Sequence, residues 1–309
     1  METEVKNLQT WIYPVMVVIG AASYGILSTI IKVAMGNGFT AAEAVTSQYY
    51  IGFILAVLIY FVSHRTFPKL RGWKVLMLSG AFTAATGMVY AHSLNYLPAS
   101  LAVVLLFQFT WIGMFLDCIA NRRWLKRIEV ISLVLLFGGT ILAAGVIDAD
   151  LSNIPWQGWA WGLAAAFCFS AFMFVNGKQV EGIDTSTRLV YVSLFAAIVI
   201  TVFQTPEIVW NGRMFAEGLW VYGLLLGIFG IVMPIYLFSL AVPRVGSGLA
   251  SILSAMELPV AILASVIILH EKLTILQIAG IGVVLFGMML PSFFNRTPKV
   301  VEKLEDPLL

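Results

Sequence analysis

Apolar residues run along this chain in blocks of about twenty, separated by short polar stretches, a spacing that reads as membrane-crossing helices. The blocks lie near 12–35, 41–63, 74–95, 98–119, 128–147, 157–178, 187–205, 217–241, 246–269 and 273–294. Lipid offers backbone amides no partner, so each block must satisfy its own hydrogen bonds as a helix. The pattern predicts an all-α integral membrane protein of ten transmembrane helices. The weakest block is 187–205, which is short and carries Arg188 at its start. An even number of crossings leaves the two tails, 1–11 and 295–309, on the same side. The second tail, "NRTPKVVEKLEDPLL", has the composition of a disordered segment.

Composition agrees with this pattern. Hydrophobic residues make up 60% of the chain and charged residues 11%, with a mean hydropathy of +0.94. A soluble domain carries about a quarter charged residues. The placement of cations says more than their sum. With the N-terminus on the cytoplasmic side, fifteen of the 18 Lys and Arg residues fall on that side. Only Lys32, Arg213 and Lys272 fall outside. Both termini are therefore expected in the cytoplasm. Eight of nine Trp residues lie near a predicted interface, Trp111 being the exception. Residues 1–10 with the long run after them do not read as a signal peptide. Cys118 and Cys168 sit in apolar runs and imply no disulfide framework. His64, His92 and His270 are scattered in depth, so no metal site is expected. There is no P-loop and no visible nucleophile–base pair. No cofactor, no nucleic-acid partner and no catalytic residue is expected.

The two halves of the chain resemble each other. "YAHSL" at 90–94 matches "YLFSL" at 236–240, and "LLFGG" at 135–139 matches "VLFGM" at 284–288. These flanks set Gln108 opposite Glu257, both near mid-membrane. Five spans per half is odd, so the halves, 12–147 and 157–294, must enter the bilayer in opposite directions. Inverted repeats of this kind mark secondary transporters, with substrate bound at the midplane between them.

The stretch from Tyr236 to Met288 carries a more specific likeness: Tyr236 with Ser239-Leu240, Glu257-x-Pro259, Glu271 closing span 9, and a Gly-rich last helix. It resembles the EamA domain, the five-helix repeat of the bacterial drug/metabolite transporter superfamily. "SYGILSTIIK" at 23–32 is similar to that domain's opening helix, including its terminal Lys32, and Lys178 ends span 6 correspondingly. The first half departs from the pattern, with Gln108 and Thr110 in place of Glu and Pro, and Asn121-Arg122 in place of Gly-Glu. The resemblance implies a ten-helix carrier of small metabolites, some relatives exporting amino acids.

Glu257 is the residue that most needs explaining. An ionised carboxylate at the centre of a span costs at least ~2.5–3.5 kcal/mol. One reading places it in a wet cavity as a substrate or proton group. The other keeps it protonated and bonded to a carbonyl that Pro259 frees. Trp111 shares a helix face with Gln108, and a cavity role and plain packing are both open for it. Phe107, Tyr24, Tyr90 and Tyr236 are candidates to line the same space, with core packing as the alternative for each. His92 reads as an interfacial residue or a cavity group. Ser254 belongs to a stripe with Ser247, Ser251 and Ser265 that reads first as close helix packing. Lys32 and Lys178 are either snorkelling helix ends or gating residues. Pro234 and Pro259 mark spans 8 and 9 as the pair most prone to flex, while Gly223 and Gly227 mark a packing face. Glu43 after Thr40 suits a helix N-terminus, and Glu271 and Lys272 suit an interface.

The expected function is secondary transport, as an exporter, of small metabolites such as amino acids across the bacterial inner membrane. Binding is expected near Glu257, Gln108 and Trp111, among spans 1, 3, 4, 6, 8 and 9. Protons are a candidate coupling partner, and the protein is expected as a monomer or homodimer in the bilayer. The alternatives are a nucleotide-sugar-type antiporter and a membrane-embedded lipid-modifying enzyme. The first wants cations for phosphate and the second a cluster of acids or histidines at one interface, and neither is visible.

Overall fold

The computed structural model describes residues 2–93, 95–97, 99–145, 155–204, 207–270 and 273–294, with residues 2–10, 99–100 and 292–294 described as helical backbone alone. Glu271, Lys272 and the tail 295–309 lie outside the described residues. The helices are α1 Glu2–Gly36, α2 Ala41–Ser63, α3 Trp73–Ser93, α4 Ala99–Leu106, α5 Phe109–Ala120, α6 Arg127–Ala143, α7 Trp156–Asn176 and α8 Thr185–Gln204. There follow α9 Glu207–Trp210, α10 Arg213–Ala216, α11 Leu219–Gly227, α12 Met233–Val245, α13 Ser247–Leu253, α14 Glu257–Leu269 and α15 Ile275–Phe294. No strand occurs among the described residues.

Eight helical stretches among the described residues are long and apolar enough to cross a membrane, three of them the successive pairs α4 and α5, α11 and α12, and α13 and α14. The remaining two expected spans form α6, with 17 residues, and α15, whose apolar stretch is Ile275–Pro291. These two shorter helices pack against each other. Polar residues start the helices as the sequence suggests. Thr40 Oγ1 accepts from the Glu43 N–H at 3.1 Å while Glu43 accepts from the Thr40 N–H at 2.8 Å, a reciprocal cap for α2. Asp184 accepts from the N–H groups of Ser186 and Thr187 and so caps α8.

Three spans are interrupted in mid-course. In span 4, α4 and α5 are separated at Phe107-Gln108, where the backbone bonds tighten to three residues. Gln108 Nε2 donates to the Val104 carbonyl at 2.8 Å and Thr110 Oγ1 to that of Phe107 at 3.0 Å. Polar side chains here compete for the helix's own carbonyls, and no proline is involved. In span 9, a 3₁₀ turn at Ser254–Met256 leads into α14, two residues ahead of Pro259. In span 8, a π turn at Ile228–Val232 precedes Pro234, and the Met233 N–H reaches back to the Ile228 carbonyl. Pro234 has no N–H for the Gly230 carbonyl, and the wider turn absorbs that loss.

The packing pairs exchange between halves. α1 lies on α12 and α14, while α7 lies on α3 and on α4 and α5. α2 lies on α11, while α8 lies on α3. Three further pairs join corresponding spans, and each runs antiparallel. Thr46 meets Gln204 at 2.9 Å and Tyr50 meets Thr201 at 2.7 Å, between α2 and α8. Ser247 donates to Asp117 at 3.0 Å, while Gly113 faces Ser251, between α5 and α13. Ser132 donates to the Gly287 carbonyl at 2.7 Å, while Gly280 abuts Ala143, between α6 and α15. In every pair one residue number rises as the other falls.

Small residues allow these approaches. A Cβ on Gly280 would lie 2.3 Å from the Ala143 nitrogen, and one on Gly227 would lie 3.0 Å from the Gly52 nitrogen. The serine stripe of span 9 packs in the same way, with Ser251 fully buried against Gly113. Outward faces carry large apolar side chains such as Ile54, Val134, Phe167, Val202, Ile267 and Phe286, all exposed. Such a surface is unfavourable in water and suited to lipid.

Candidate functional site

The bundle holds a partly open cavity of about 120 Å³ lined from α1, α2, α3, α4, Phe107, α7 and α14. Tyr24 comes from α1, Tyr90 from α3, and Glu257 from the first position of α14, immediately after the 3₁₀ turn. The structure brings these three expected residues together, with Phe107 beside them. Its apolar walls include Leu27, Ile31, Val103, Leu106, Phe169 and Leu258. Gly25 lets α1 cross α14 backbone against backbone at the rim: a Cβ there would lie 2.4 Å from the Glu257 carbonyl oxygen. That contact fixes where the Glu257 side chain starts.

The lining carries one ionisable acid, Glu257, and no Lys, Arg or His. No described residue forms a hydrogen bond or ion pair with the Glu257 carboxylate. The Tyr24 hydroxyl lies near the Thr83 side chain but makes no hydrogen bond of ordinary geometry among the described residues. Tyr49, by contrast, donates to the Thr83 carbonyl at 2.7 Å. The carbonyl-bonded reading of Glu257 therefore has no counterpart in the geometry, and its carboxylate is left to the cavity.

The other expected residues are placed elsewhere. Gln108 is buried and does not line the cavity; it accepts from Trp111 Nε1 at 2.7 Å. The Trp111 ring is 41% exposed on the outside of the bundle, edge-on to Phe115. An indole needs a partner for its N–H when it leaves water, and Gln108 supplies it. His92 is exposed at the end of α3, edge-on to Trp161 at 5.0 Å. Tyr236 is exposed on α12, and Ser254 is buried in the 3₁₀ turn with no partner for its hydroxyl among the described residues. Lys32 lies near the end of α1, and Lys178 lies past the end of α7 with its ammonium 5.3 Å over the Phe174 ring. Pro234 and Pro259 sit at the two helix irregularities, outside the lining.

Span 2 contributes where span 8 was expected. Gln48 and Tyr49 of α2, with Thr83 and Thr86 of α3, supply most of the remaining polar lining. Gln48 was legible: an amide in the middle of the 41–63 run calls for a partner or a cavity by the same rule that singled out Glu257.

Beneath the cavity lies a layer of rings. Tyr24 meets Phe169 edge-on at 5.7 Å, Phe169 meets Phe109 at 4.6 Å, and Phe172 meets Phe238 at 6.4 Å. Phe109, Phe172 and Phe238 are fully buried. Beyond this layer, at the end that holds most of the cationic loops, a second and more polar cavity of about 240 Å³ lies among Gln179–Thr185, Arg188, Ser239 and Arg244. The same end holds an ionic cluster that the sequence reading passed over. Arg123 bonds Asp117 at 2.7 Å and Glu129 at 2.9 Å, and Asp117 also takes the Ser247 hydroxyl. Burial disfavours the Arg123 charge, but the hydrogen bonds it donates to Glu129 and Asp117 outweigh it and push its pKa upward. The cluster ties α5, α6 and α13 together. Among the described residues, no group of three His, Cys, Asp or Glu is arranged to hold a metal.

The cavity thus lies within the helix bundle where spans 4 and 9 are broken. The model of the EamA-like transporter family matches residues 11–145 and again 156–293. The chain belongs to the EamA-like transporter family. Its two matched segments fall either side of the connection between α6 and α7. The threonine/homoserine exporter RhtA of Escherichia coli strain K12 is 21% identical over 313 residues, covering 99% of each chain, and the RhtA proteins of two further Escherichia coli strains match equally. A solved structure titled "Crystal structure of protein" shares the fold with a TM-score of 0.73 at 14% identity, covering 90% of this chain and 98% of the other. This EamA-like chain is thus a multi-pass membrane protein of a transporter family.

Proposed function

We propose that this protein is a secondary carrier that exports small metabolites, amino-acid-like in size, across the bacterial inner membrane by alternating access. Its ten spans form two inverted repeats, 12–147 and 157–294, with both termini in the cytoplasm. The exchanged packing pairs and the three antiparallel homologous pairs support this division. The observation that carries the reading is the cavity around Glu257, in which an unpartnered carboxylate faces space at the junction of broken helices. A charge so placed is expensive and is kept for a ligand or a proton. The aromatic layer separates this cavity from the second one, which is what one end-state of an alternating carrier requires. The relative named as a threonine/homoserine exporter supports outward movement of a small metabolite.

A nucleotide-sugar antiporter is disfavoured because no cation lines the cavity to take a phosphate. The test is counterflow in proteoliposomes: labelled metabolite should exchange across the membrane without chemical change. Recovery of a modified product would make the protein an enzyme instead. For orientation, Gly38→Cys should react with an impermeant maleimide from outside and Thr66→Cys should not; the reverse pattern would overturn the assignment built on cation placement.

A further inference from the structure

We propose that the Glu257 cavity recognises the ammonium group of its substrate, and that it favours small apolar amines over zwitterions and anions. This rests on reading the cavity as the substrate site. The chamber has one carboxylate, no described residue neutralises it, and no cationic side chain lines the walls. An ammonium entering this space meets its opposite charge. A zwitterion brings a second carboxylate that finds no cation, and an anion meets only repulsion.

The walls reinforce the same choice. Tyr24, Tyr49, Tyr90, Phe107 and Phe169 line the same cavity as Glu257. Ring faces attract a desolvated cation and have no such affinity for a carboxylate. The Tyr24 hydroxyl, which makes no hydrogen bond of ordinary geometry among the described residues, is available to one N–H of the ligand or to its hydroxyl. A space of about 120 Å³ suits a small ligand. The remaining lining is mostly aliphatic, which suits a short hydrocarbon chain.

A matched set of leucine, leucinol and 2-hydroxy-4-methylpentanoate tests this with the purified full chain. The three share one carbon skeleton and differ in carrying both charges, the ammonium alone, or the carboxylate alone. Calorimetric binding should place leucinol about tenfold or more below leucine in dissociation constant, with the hydroxy acid not binding. Glu257→Gln should abolish leucinol binding with an unchanged melting temperature. Tyr24→Phe, which keeps the ring, should weaken it by about three- to tenfold. Equal or tighter binding of leucine or of the hydroxy acid, or no binding by leucinol, would overturn the preference. Val103→Trp, which fills the cavity, separates the two levels. If it blocks every ligand while leucine matches leucinol in the unsubstituted protein, the substrate site stands and the ammonium preference fails. If leucinol binding survives Val103→Trp, the cavity is not the substrate site, and both readings fall.

Discussion

Spans 4 and 9 occupy equivalent places in the two halves, run antiparallel and break at corresponding points, yet they use opposite chemistry at the break. In span 4 the amide of Gln108 turns inward on its own helix, bonding Val104 and accepting from Trp111. Everything polar there is satisfied. In span 9 the helix restarts at Glu257 and its carboxylate is left facing a cavity. A near-symmetric scaffold thus carries an asymmetric site. Backbone geometry is shared because both spans must pack on the same kind of neighbour, α13 against α5 and α14 against α1 as α5 against α7. The functional group is not shared: position 108 turns into its own helix away from the cavity, where a buried carboxylate would have no cation to offset its charge.

The strongest way to break this comparison is to move the acid. The double variant Gln108→Glu with Glu257→Gln keeps composition and net charge and transfers the carboxylate to the first half. Accumulation in proteoliposomes should fall to background, because position 108 does not line the cavity. Restored transport would mean that the two breaks are interchangeable. Glu257→Gln alone should also lose accumulation while remaining folded, with Glu257→Ala worse because it leaves a void as well.

Next in size are packing effects. Gly25→Val should destabilise the fold by about 3 kcal/mol or more, since even the first added carbon meets backbone across the α1–α14 crossing. Gly282→Val, where a Cβ would meet nothing within 4 Å, should leave the melting temperature unchanged. Equal losses at both would show that the crossing is not specially close. Arg123→Gln would leave Asp117 and Glu129 buried together without their cation, at a cost of about 3 kcal/mol. Arg213→Gln, at an exposed pair with Glu217, should cost nothing measurable.

Smaller still is the first-half break itself. Gln108→Leu should cost about 1 kcal/mol by unpartnering the Trp111 N–H, with substrate preference unaltered. A changed preference would bring Trp111 back into the substrate path. Ser132→Ala removes one bond between α6 and α15 and should cost about 0.6 kcal/mol.

The sequence by itself determined the helical membrane class, because about twenty apolar residues in a row have no other stable form in lipid. It also determined the sites of irregularity in spans 8 and 9, since a proline removes a donor wherever the chain goes. Glu257 was legible for the same local reason: its cost depends on depth alone. Tertiary structure decided the rest. Helical periodicity places Trp111 beside Gln108, but whether that shared face looks inward depends on how α5 lies against α7 and α13, and it turns the ring outward. The break in span 4 has no proline to announce it; it comes from side chains claiming carbonyls, a competition that packing settles. The Arg123 cluster joins residues from three helices, and its arginine reads along the chain as one more cytoplasmic cation. Gln48 and Tyr49 join Glu257 only because α2 folds against α11 and α8, bringing a distant stretch of chain to the same few ångströms. A charge's cost is local and can be read along the chain, whereas its partners are set by which helices meet.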